Sequence, residues 1–139
     1  MRLLLVAFVL LTTMLAYSGA ALVNATAPLG IVSLQLAGTG ATAARILDSW
    51  GSAGQAAALL NLVIDFPFLV VYGTLFGLWC RRAARALPLH AATGRSCVHA
   101  AWAAAAFDAV ENIALLAQLN GSANDPAATL AFTCAGIKF

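Results

Sequence analysis

Apolar residues fall along this chain in long runs, and polar residues gather at the joints between them. The first run is Leu3 to Val23, the second Ala53–Cys80, the third Ser96–Leu119, and a fourth begins at Ala127 and reaches Phe139. A helix rises ~1.5 Å per residue against a hydrocarbon layer of ~30 Å, so about 20 apolar residues make one membrane span. Three runs meet that length. The fourth, from 127 to 139, rises only ~20 Å and reads as an incomplete span. The pattern predicts an all-α, polytopic transmembrane helix bundle of about four spans, with residues 1–139 as a single membrane domain.

The joints carry their own signals. Asn24 to Ser52 is the least hydrophobic part, and its segment 28–52 is opened by Pro28 and interrupted by Gly38-Thr39-Gly40. Within it, Ala41–Trp50 places Ile46, Leu47 and Trp50 on one side and Arg45 and Asp48 elsewhere. That predicts a short extracytoplasmic amphipathic segment at the headgroup level with Trp50 as anchor, or else a packed loop capping the bundle. Gly51-Ser52 marks the turn into the second run. Arg81–Arg95, broken by Pro88 and Gly94, reads as the polar connection between spans two and three. Asn120 to Pro126 is a turn, with Asn124 or Asp125 as N-cap and Pro126 at the first helical position.

Inside the second run, Pro67 should kink the helix, which membranes tolerate when neighbours satisfy the freed carbonyl. Gly73 and Gly77 form a G-x-x-x-G pair, and Ala101, Ala105 and Ala109 a ladder, both suited to close helix approach. The first run has a second reading as a signal peptide, with Arg2 as its basic start and Ala25-Thr26-Ala27 as a cleavage-like site. The spans that follow favour a retained helix.

Composition agrees with the pattern. The chain is 63% hydrophobic and 9% charged, against about 25% charged residues in soluble domains. Too few charges exist to build a water-facing surface. The net charge of +2 matters less than its placement, because Arg81, Arg82, Arg85 and Arg95 share one joint. Such clustering sets topology and gives no reason to expect nucleic acid as a partner. It predicts that the 81–95 loop and the Arg2 end lie in the cytoplasm. The Arg-for-Lys bias and abundant alanine fit a bacterial inner (plasma) membrane protein. Cys80, Cys97 and Cys134 are scattered, without metal or redox spacing, and read as small apolar side chains.

The candidate chemistry is the acidic residues inside the spans. A charge at mid-bilayer costs at least ~2.5–3.5 kcal/mol, so such residues face protein or water. Asp65 lies 16 residues before Arg81, and Glu111 lies 16 after Arg95; antiparallel spans would put them level. Asp108 falls one turn nearer the arginines, at the expected level of Lys138. Asn61, Asp65 and Tyr72 share one face of span two, and Asp108, Glu111 and Asn112 one face of span three. A polar cluster of Asp65, Asp108, Glu111, Asn112, Lys138, Asn61 and Tyr72 follows, with Asp108 opposite Lys138. Three acids against one lysine leave surplus negative charge, so the cluster is expected to hold a proton. His99 lies on the opposite side of span three and His90 in the loop, which favours no haem pairing. No nucleotide, zinc or nucleophile-elbow motif occurs, and neither a cofactor nor a metal is expected.

The motifs Gly30-Ile31-Val32, Leu36-Ala37-Gly38, Trp50-Gly51, Asp65-x-Pro67, Tyr72-Gly73 and Asp108-Ala-Val-Glu111-Asn112 resemble a group of small, uncharacterised bacterial integral membrane proteins. That resemblance implies four spans, with the last continuing beyond a pair like Lys138-Phe139, and implies no activity. Three functions stay open at this level. The chain is a structural or accessory subunit meeting itself or a partner membrane protein, a proton- or cation-coupled transporter component acting as an oligomer, or an intramembrane enzyme on a lipid or isoprenoid substrate.

Overall fold

In the computed structural model, residues 1–86, 91–121 and 124–138 are described, with backbone alone at 91, 137 and 138. They form α1 (Arg2–Ala20), α2 (Ile31–Gln35), α3 (Gly40–Ala86), α4 (Ala91–Leu119) and α5 (Asp125–Lys138). No strand occurs among the described residues. The expected all-α class holds. Three helices, α1, α3 and α4, are long and apolar enough to cross a membrane. With 14 residues, α5 rises only ~21 Å, too short for a full crossing.

The middle of the chain is organised differently from the sequence expectation. Ala41–Trp50 is continuous with span two, and the two parts meet in α3 at Gly51, which has φ 59° and ψ −172°. Only glycine adopts that backbone region without steric cost, so the bend falls there. Backbone dihedrals stay helical through Pro67, where a kink was expected. Arg81–Arg95 is not an open polar loop either. α3 continues to Ala86 and α4 starts at Ala91, leaving only residues 87–90, with His90 among them, as the connection. Arginine is a good helix former, and exposed Arg81, Arg82 and Arg85 extend the helix without burying charge.

α3 is the central element, packed most extensively on α4 and next on α1. Phe8 of α1 stacks on Phe68 of α3 at 5.4 Å and meets Phe76 edge-on at 6.4 Å. Nearer its C-terminus, α1 contacts Asn61, so α1 and α3 run antiparallel. The α3–α4 hairpin closes on small residues: Gly73 and Gly77 receive Trp102, and Gly94 lies against Ala84. α5 returns along α4. Asn124 caps it by accepting from the Ala127 N–H at 3.0 Å, while Asp125 accepts from the Gly40 N–H at the start of α3.

Opposite the arginine end, residues 22–50 fold over the bundle. Asn24 Oδ1 accepts from the Thr26 and Ala27 N–H groups, a side-chain-built turn, and its amide reaches Ser49. Ala43, Ile46, Leu47 and Trp50 are buried with Leu22 and Leu34, while Arg45 and Asp48 point outward. Trp50 is not a headgroup anchor. It is 8% exposed, and its indole N–H donates to the Leu22 carbonyl at 2.8 Å, as a buried indole requires. From Gly40 the segment is the expected helix rather than a loop, and its apolar face packs on the bundle. The outer surface is apolar in contrast: Leu3, Val9 and Tyr17 of α1, Val63 and Val70 of α3, and Ile113 of α4 are all exposed.

Candidate functional site

The antiparallel α3–α4 register sets the polar cluster. Asp65 precedes the 87–90 connection by as many residues as Asn112 follows it, so the two meet at one level. Asn112 Nδ2 donates to Asp65 Oδ2 at 2.6 Å. Two turns closer to the connection on α3, the Tyr72 hydroxyl donates to Asp108 Oδ2 at 2.5 Å. Both acidic side chains thus accept from a neutral donor on the opposite helix. The Tyr72 ring is held by Phe68 at 5.5 Å and Phe76 at 6.2 Å, which aims the hydroxyl.

Asn61, one turn before Asp65, turns toward α1. Its amide donates to the Leu15 carbonyl at 2.9 Å and to Ser18 Oγ at 2.7 Å. Ser18 Oγ in turn donates to the Met14 carbonyl. α1 is thereby joined to α3 through polar atoms as well as through Phe8.

A cavity of about 300 Å³ opens between α1, α2, α3 and α4. Its polar lining is Asn61, Asp65, Asp108 and Asn112, with Gln35 of α2 at the rim, and Phe68 contributes an apolar wall. A space of that size holds several waters or one small solute. Glu111 is not part of the lining; it is buried at 1% exposure beside Asn112. The Lys138 side chain, and with it the expected Asp108–Lys138 pairing, lies outside the described residues. Among the described residues, no group of three His, Cys, Asp or Glu side chains is placed to hold a metal.

Of the seven expected residues, Asp65, Asn112, Tyr72 and Asp108 pair across the hairpin, Asn61 joins through α1, and Glu111 is buried nearby. Ser18 and Gln35 were not anticipated. Ser18 carried a signal, being a polar residue inside an apolar run. Gln35 carried little, because it sits in a joint where polar residues are ordinary. A third unanticipated residue is Gln118. It lies two turns beyond Glu111 on the same side of α4, is 1% exposed, and neither amide atom has a partner among the described residues.

These features define a helical bundle with three membrane-span-like helices and a polar seam inside an apolar exterior. Comparison with protein-family profiles, curated proteins and solved structures yields no match.

Proposed function

We propose that this chain is a multi-pass protein of the bacterial inner membrane that works as a structural or accessory subunit. The carrying observation is that Asp65 and Asp108 both take part in cross-helix hydrogen bonds, with Asn112 and Tyr72 respectively. Such pairs lock two helices in register where lipid supplies no hydrophobic drive between them. The exposed apolar face of α1 supports contact with lipid, a second copy or a partner membrane protein. The gathering of arginines around the α3–α4 connection supports a cytoplasmic location for that end and for the N-terminus. In this arrangement residues 22–50 are extracytoplasmic. The likeness to small bacterial four-span proteins rests on its short motifs alone.

A second reading, a proton- or cation-handling component of an oligomer, is favoured by one observation. The cavity of about 300 Å³ is lined by both Asp65 and Asp108. The discriminating experiment is Asp65→Ala with Asp108→Ala in one chain, which removes both acceptors. Under the structural reading the purified bundle loses stability in detergent and proteoliposome ion flux is unchanged. Loss of a proton-driven flux from a stably folded double variant would instead establish the transport reading.

A further inference from the structure

The opposite side of the α3–α4 seam holds a second site. Near the 87–90 connection, a cavity of about 460 Å³ is lined by Arg81 and Arg85 of α3 and by Arg95 and His99 of α4, with Gly94 and Ala84 also in its wall. Three arginines from two helices line it, and none of the chain's five acidic residues contributes to the lining. The arginines are solvent-exposed, so their charge is available to a ligand. Guanidinium groups bind phosphate oxygens through paired N–H donors.

This basic cavity does not stand alone. A smaller one, about 170 Å³, shares Arg81 and Val98 with it and continues along the seam past Gly77 and Thr74 to Trp102. Trp102 is also in the wall of a third, about 290 Å³, formed by Phe66, Val70, Ala105, Ala106 and Ala109. At 100° per residue, Phe66, Val70, Thr74, Gly77, Arg81 and Arg85 form one stripe along α3. Ala109, Ala106, Trp102, His99 and Arg95 form the matching stripe on α4. A charged head therefore passes into an apolar trough on one side of the hairpin, away from the Asp65–Asp108 cavity. From Arg81 to Phe66 the helix rises ~22 Å, the scale of one acyl chain from headgroup to terminal methyl.

The geometry points to a bound anionic phospholipid, its phosphate held by Arg81, Arg85, Arg95 and His99 and an acyl chain laid between α3 and α4 along Trp102 and Ala106. Free phosphate offers the same head chemistry, but only a lipid also fills the trough. Basic pockets between membrane helices are a recurrent way of capturing such headgroups. The site is independent of the polar seam and of either function proposed for it.

The test uses the full chain in neutral detergent, titrated with dioleoyl phosphatidylglycerol or dioleoyl phosphatidylcholine as mixed micelles or with inorganic phosphate, and read by tryptophan fluorescence and native mass spectrometry. Phosphatidylglycerol is expected to bind at least tenfold more tightly than either of the others. Arg81→Gln with Arg95→Gln should weaken it about 25-fold, at roughly fivefold per arginine. Arg82→Gln, outside the lining, should change it less than twofold. Ala106→Phe should weaken lipid binding and leave phosphate binding unchanged. Equal binding of the two lipids, or an Arg82→Gln loss equal to that of Arg81→Gln, would overturn the proposal. Phosphate binding as tight as lipid binding, with Ala106→Phe silent on both, would overturn the lipid assignment.

Discussion

The Asn112 amide lies 2.6 Å from the Asp65 carboxylate, joining two helices through residues 47 apart in the chain. This bond fixes the rotation of α3 against α4, because both side chains must leave their helices on the facing sides. It also fixes the depth, since sliding either helix by one residue would part the pair by ~1.5 Å. A double-mutant cycle of Asp65→Ala and Asn112→Ala should give a coupling of about 0.6–1.7 kcal/mol, the range of polar contacts inside membrane bundles. Unfolding in mixed micelles measures it, and a coupling of zero would contradict a pair that holds the helices in register.

Tyr72 separates packing from hydrogen bonding. Tyr72→Phe keeps the ring between Phe68 and Phe76 and removes only the donor to Asp108. The expected loss is about 1 kcal/mol. Tyr72→Ala also removes the ring and should lose about 3–5 kcal/mol. If both substitutions proved equally harmful, the aromatic packing would contribute nothing.

Two glycines predict opposite outcomes for the same change. A Cβ at Gly94 would stand 2.5 Å from that of Ala84, whereas one at Gly136 meets nothing within 4 Å among the described residues. Gly94→Ala should therefore force the hairpin ends apart and cost about 1–3 kcal/mol. Gly136→Ala should be neutral or gain up to about 1 kcal/mol from helix propensity. Thermal melts of the two purified variants against the parent chain show the sign of each effect.

Gln118 buries an amide without a partner among the described residues, and such a group costs about 1–3 kcal/mol. Gln118→Met fills the same space without polar atoms and should raise the melting temperature. A lowered melting temperature would show that the amide is satisfied in the folded protein.

Much of this was legible because helical rise turns sequence distance into depth. Counting from the arginines placed Asp65 and Glu111 level, and the structure puts Asp65 against Asn112, one residue on. The face assignments of Asn61, Asp65, Tyr72, Asp108 and Asn112 followed from the same periodicity. Trp50 escaped it, because its partner is a backbone carbonyl at Leu22, on a segment with no periodic pattern. The arginines misled for a different reason: four cations in one stretch look like a loop, yet each can end a helix with its charge in solvent. Gly51 and Pro67 were both visible as breakers. Positive φ at Gly51 takes the bend, whereas Pro67 is accommodated within the helix.

The central claim is that Asp65 and Asn112 face each other inside one bundle, shielded from lipid. The most direct measurement is oxidative cross-linking in native membranes, with Cys80, Cys97 and Cys134 replaced and Asp65→Cys combined with Asn112→Cys. The account predicts a fast disulfide within one chain, and none for the outward pair Val63→Cys and Ile113→Cys. A silent Asp65→Cys/Asn112→Cys chain, or cross-links formed only between separate chains, would contradict it.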